Sequence, residues 1–74
     1  MIIITGASGF IGKATAIFFQ KNEVSSIVLV DFFKTKDEKL KKCHFVHTDD
    51  LFDFIDLKKG QIDLIIHLLS LIHI

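Results

Sequence analysis

The sequence predicts an α/β fold built on a parallel sheet. Three observations carry this. Short β-branched runs alternate with helical segments in the order β-α-β-loop-β-α-β. The runs "IIIT" and "SIVLVD" are apolar on both faces, as strands covered on both sides are. Three glycines separate the first strand from the first helix. With 74 residues the chain forms at most one small domain.

Each element has a local reason. Residues 2–5 form a β-branched run that ends at Gly6. In the following segment Ile11, Ala14, Ile17 and Phe18 recur at helical spacing and predict a buried helix face. Asn22 and the polar residues after it end that helix. Residues 26–31 give a second buried strand, stopped by Asp31. The charged stretch "FFKTKDEKLKK" has no clear period and reads as a loop with one helical turn. "HFV" at residues 44–46 is a short third strand. Leu51, Phe54, Ile55 and Leu57 share one face of a second helix, with Thr48 or Asp49 as its N-cap and Gly60 as its C-cap. "IDLIIHL" is the fourth strand. Right-handed crossovers then predict the strand order 3-2-1-4, with the fourth strand an open apolar edge.

The composition narrows the function classes. Half of the residues are apolar and a quarter are charged, so the chain is globular. Nine basic residues balance nine acidic ones, and no net charge draws the chain to nucleic acid or to an anionic membrane. The single Cys43 excludes an internal disulfide and fits a reducing, cytoplasmic setting, where it is expected to be a small hydrophobe or a mild surface thiol. Thr5, Gly6 and Ser8 interrupt the first apolar run too early for a signal peptide. The apolar stretch 64–74 is too short to span a bilayer. His44, His47, His67 and His73 lie on separate elements without ligand spacing, so no metal site is expected. Asp49, Asp50, Asp53 and Asp56 suit the first turns of a helix better than acid–base chemistry.

Gly6, Gly9 and Gly12 point to a phosphate. Backbone N–H groups reach a phosphate only where no Cβ intervenes, and the helix start that follows supplies free donors and partial positive charge. The spacing is G-x-x-G-x-x-G, one residue longer than the general dinucleotide fingerprint. Asp31 closes the next strand 19 residues after Gly12, where a carboxylate accepts hydrogen bonds from an adenosine ribose. The predicted fold is therefore the N-terminal β-α-β-α-β part of a doubly wound Rossmann domain, truncated.

"TGASGFIGKATA" followed by "SIVLVDFF" resembles the N-terminus of the extended short-chain dehydrogenase/reductases, the NAD(P)-dependent epimerases and dehydratases of nucleotide sugars. The resemblance runs from Met1 to about Leu68. Within it, "VDFFKTKDEKLKK", "DDLFDFI" and "GQIDLIIHL" are most similar to ADP-glyceromanno-heptose 6-epimerases. The resemblance implies a cofactor, NADP or NAD, held by Gly6, Ser8, Gly9 and Gly12. It places Phe10 and Ile11 under the pyrophosphate, Asp31 and Phe32 at the adenosine ribose, and Leu68 at the end of the fourth strand. Lys39 matches a lysine that heptose epimerases use near a 2′-phosphate. From charge alone Asp31 favours NAD; the five loop lysines 34, 36, 39, 41 and 42 either offset it or form a solvated basic loop balanced in part by Asp37 and Glu38. A nucleotide-sugar substrate and a homo-oligomeric parent are implied as well.

The resemblance also marks what the 74 residues lack. The family's acid–base apparatus is a Tyr-x-x-x-Lys pair far downstream, and this chain contains no tyrosine. No catalytic residue is therefore expected within it. After the fourth strand the family shows a small-residue turn, but here Leu69 and Leu71 follow. Residues 69–74, "LSLIHI", also match the in-frame translation of a transposase sequencing adapter. The expectation is a partial NAD(P)-binding domain over residues 1–68 and a non-native tail over 69–74. Three readings follow: an epimerase fragment, a fragment of a related dehydratase or reductase, and a short nucleotide-binding module without catalysis.

Overall fold

A computed structural model describes residues 1–22 and 26–68. The tail assigned to residues 69–74 lies outside the described residues. Four parallel strands form one sheet: β1 (Ile2–Thr5), β2 (Ile27–Asp31), β3 (His44–His47) and β4 (Leu64–His67). Their order is β3-β2-β1-β4, as the crossover rule predicts. Helix α1 (Phe10–Lys21) joins β1 to β2, and α2 (Leu51–Leu57) lies between β3 and β4.

The period of two along each strand sorts the core into two layers. Ile2, Ile4, Ile27 and Leu29 face one side, where they meet Ala7, Ala16 and Leu40. Ile3, Val28, Val30 and Val46 face the other, with Leu51 from α2. Every residue of β1 and β2 is buried, which is why both runs are apolar without alternation. Each such aliphatic side chain contributes about 1.5–3 kcal/mol by leaving water.

Helix α1 turns a different face inward from the one its large apolar residues predict. Gly12 and Ala16 are buried, with Ile17 and Phe19 packed beside them, whereas Ile11 and Phe18 are exposed. The helix runs too close to the chain beneath it for large side chains, so small residues occupy the contact. Helix α2 buries Leu51 and packs Phe54 and Ile55, but Leu57 is exposed. The turn that leads into it, Thr48–Asp50, is capped by neither Thr48 nor Asp49. His47 Nδ1 accepts the Asp49 N–H at 3.1 Å. Lys58, not Gly60, is the C-cap, and its N–H bonds the Phe54 carbonyl.

The β2–β3 crossover is a loop with one 3-10 turn at Glu38–Leu40. That turn docks on the C-terminal part of α1. Gln20 Nε2 donates to the Lys39 carbonyl, and Cys43 Sγ donates to Gln20 Oε1 at 3.1 Å. Burial pushes the Cys43 thiol up, so it serves as packing rather than as a nucleophile.

Strand β4 has no outer partner among the described residues, and Leu64 and Ile65 on it are 45% and 44% exposed. An unpaired apolar edge templates further strands. The 74-residue chain is therefore expected to associate with rising concentration. Light scattering across a dilution series checks this, and a mass that stays monomeric throughout contradicts it. A lysine at Ile65, on the open strand, is expected to suppress the association.

Candidate dinucleotide site

The chain leaves β1 through a loop fixed at both ends. Ala7 N donates to the Val30 carbonyl at 3.2 Å, which ties the loop to β2. Gly6 sits at φ +69°, a left-handed conformation that a Cβ makes costly. Gly9 is the N-cap of α1, and it brings no side-chain oxygen to the first turn. That turn also contains no acidic residue. The first amides of α1 are thus left for an outside acceptor, at the positive end of the helix dipole.

The two later glycines have different tasks. A Cβ on Gly12 would stand 2.3 Å from the Gly6 carbonyl oxygen and 2.7 Å from Ala7 Cα. Gly12 therefore serves the fold, by letting α1 press against the loop. A Cβ on Gly9 would meet nothing closer than the Gly6 oxygen at 3.5 Å, an ordinary contact. The protein does not need glycine there for its own packing, and the space beside Gly9 is open. Gly6, Gly9, Phe10, Ile11, Gly12 and Leu68 line one open cleft of about 310 Å³. Phe10 is 88% exposed and Ile11 is exposed beside it, so both wall the cleft rather than fill the core.

Asp31 stands at the end of β2 beside this loop. Its Oδ2 accepts the Ser8 N–H at 2.9 Å and the Ser8 hydroxyl at 2.6 Å, and its Oδ1 accepts the Phe32 N–H at 2.7 Å. Burial works against the charge, but the hydrogen bonds from Ser8, Phe32 and Phe33 together outweigh it and hold the carboxyl below its ordinary value. Asp31 is therefore charged at neutral pH and clamps the glycine loop. A group depressed in the folded state contributes stability above its unfolded value and loses it as pH falls through the folded one. The denaturation midpoint is expected to drop as pH falls below about 4. Ser8→Ala should flatten that slope, and an unchanged slope would remove the clamp.

The structure brings Gly6, Ser8, Gly9, Phe10, Ile11, Gly12, Asp31 and Leu68 to one end of the sheet. Phe32, 51% exposed, follows Asp31 and meets the His47 ring edge-on at 5.7 Å. His47 thus joins the surface next to Asp31. It is also the register partner of Asp31 across β2 and β3, a relation that spacing along the chain does not reveal. Lys39 is not brought to the group. Its carbonyl is held by Gln20, ten residues along α1 from Phe10, or about 15 Å. Because β3 runs parallel beside β2, the crossover returns to the other end of the strands before β3 starts, and Lys39 lies on that return path. Lys34, Lys36 and Lys41 line a separate hollow of about 90 Å³ over Leu29 and Phe45. No group of three potential metal ligands occurs among the described residues, and no helix among them is long and apolar enough to cross a membrane.

Comparisons with known proteins agree with this fold. The chain matches the NAD dependent epimerase/dehydratase family over residues 2–74. No curated protein matches it. Among solved structures, a monomeric L-threonine 3-dehydrogenase from a metagenome database, in its apo form, superposes with a TM-score of 0.65 at 22% identity. The match covers 96% of this chain and 23% of that one, so this chain spans about a quarter of the neighbour's length. The glycine loop, the charged Asp31 at the β2 end and the family match over nearly every residue lead to one conclusion: the chain belongs to the NAD-dependent epimerase/dehydratase family and binds NAD(P).

Proposed function

We propose that this chain is the NAD(P)-binding N-terminal part of a nucleotide-sugar epimerase, of the ADP-glyceromanno-heptose 6-epimerase type that its sequence most resembles. In such an enzyme the bound cofactor supplies a transient hydride exchange with the sugar. The residues here hold the dinucleotide: the α1 amides and Gly9 receive the pyrophosphate, and Asp31 receives the adenosine ribose. The proton donor and acceptor belong to sequence outside these 74 residues, as does the sugar pocket.

The observation that carries the reading is the Asp31 carboxylate, held charged beside a loop whose Gly9 leaves room that the protein itself does not use. The same charge supports NAD over NADP. A 2′-phosphate next to a carboxylate is repelled, and Lys39, the residue matched to that phosphate, lies at the far end of α1. Titration of the chain with NAD and NADP, followed by calorimetry, tests this. NAD is expected to bind more tightly, by about tenfold. Equal affinity would remove the preference, and no uptake of either at millimolar concentration would remove the preformed site. In the parent protein, epimerisation of an ADP-sugar without net change in NAD(H) distinguishes an epimerase from a reductase.

A further inference from the structure

Thr5 and His67 are register partners at the ends of β1 and β4. Thr5 is 0% exposed, and its hydroxyl has two polar neighbours. The Leu68 N–H lies 3.0 Å from Thr5 Oγ1, and His67 Nδ1 lies 2.8 Å from it. The protons here follow by elimination. An amide N–H only donates, so Oγ1 accepts from Leu68. The hydroxyl then has one proton to give, and His67 Nδ1 is the acceptor within reach. If the ring donated instead, a buried hydroxyl proton would be left without a partner, which costs more than an ordinary hydrogen bond gains.

We propose that His67 is a positioning residue of the dinucleotide cleft. Its Nδ1 accepts the Thr5 proton, which aims a Thr5 lone pair at the Leu68 N–H and so sets Leu68 as a wall of the cleft. Leu68 lines that cleft with the three glycines of the loop, Phe10 and Ile11. Its N–H is shared between the Thr5 hydroxyl and the Thr5 carbonyl, the latter at 3.2 Å. The carbonyl alone extends the ladder of the sheet by one step. The hydroxyl adds a second acceptor to the same amide and fixes the chain as it leaves β4. With Nδ1 occupied as acceptor, the ring proton sits on Nε2, on the ring edge away from Thr5. Nε2 has no partner among the described residues, and His67 is exposed. This donor is available at the same end of the sheet as the cleft.

Two readouts need no cofactor. In a dilute sample labelled with 15N-histidine, the His67 ring is expected to show an unprotonated Nδ1 and a protonated Nε2. The reverse assignment overturns the proposal. Amide exchange at Leu68 is expected to quicken about two- to fivefold in His67→Ala. It should stay near the wild-type rate in His67→Asn, whose side-chain oxygen takes the place of Nδ1. Unchanged exchange in His67→Ala, or equal loss in both variants, overturns the positioning role. The third readout rests on the dinucleotide reading. NAD affinity should fall in His67→Ala by a similar factor and recover in His67→Asn. If the unaltered chain binds no NAD, the functional reading fails, while the tautomer and the Leu68 exchange still decide the proposal.

Discussion

Gly12→Ala is expected to abolish the fold of this chain or to lower its thermal midpoint by about 10 °C or more. An alanine in a helix is ordinarily about 1 kcal/mol better than glycine. Here the added methyl would stand 2.3 Å from the Gly6 oxygen and 2.7 Å from Ala7 Cα. Both neighbours are backbone, and Gly6 already holds its left-handed conformation, so neither can swing aside as a side chain would. Forcing atoms into such a contact costs about 1–3 kcal/mol or more. A chain of this length has roughly 4–11 kcal/mol of stability in total. Gly9→Ala is the matched control. Its methyl would meet only the Gly6 oxygen at 3.5 Å, so the fold should survive with a near-normal midpoint. The new methyl would stand in the cleft instead and cost NAD affinity about tenfold or more. Thermal unfolding by circular dichroism, with NAD titration of whichever variants fold, separates the two roles. If Gly12→Ala melts normally, α1 does not depend on the close approach.

The strand order could be read from the chain because β1 and β2 are buried on both faces, and such strands need no alternation to be recognised. The loop could be read because Gly6, in a left-handed conformation, and Gly12, pressed against the Gly6 and Ala7 backbone, stand where a side chain does not fit. The inward face of α1 could not. Periodicity locates large apolar side chains, and the contact at Gly12 and Ala16 is made by residues with almost no side chain. The very closeness that fixes the helix therefore erases its signal in hydropathy. Lys39 is matched to a phosphate-side lysine by resemblance alone, and the contact its backbone carbonyl makes with Gln20, 19 residues away, has no local signal either. Pairs such as Thr5 with His67 lie 62 residues apart. Parallel register brings them together, and nothing local announces it.

Replacing Asp31 should alter stability and cofactor choice together, because one carboxylate serves both. Ser8 contributes two donors to Oδ2 and Phe32 contributes one to Oδ1. Asparagine offers one acceptor oxygen and one NH2 group, so whichever way it turns, a donor faces a donor. Asp31→Asn is therefore expected to lose about 1–3 kcal/mol of unfolding free energy. The charge is lost as well, and with it the repulsion of a 2′-phosphate. At 4 Å and surface-like screening that repulsion is about 1–4 kcal/mol, so the ratio of NAD to NADP affinity should fall by about tenfold. Ser8→Ala divides the two effects. It removes the hydroxyl bond but keeps the Ser8 N–H bond and the charge. It should cost about 1 kcal/mol of stability and leave the NAD preference intact. A shift in preference with Ser8→Ala, or none with Asp31→Asn, would mean that loop shape rather than the carboxylate charge selects the cofactor. Calorimetric titration of both variants with both nucleotides, beside urea unfolding at pH 7, tells these outcomes apart.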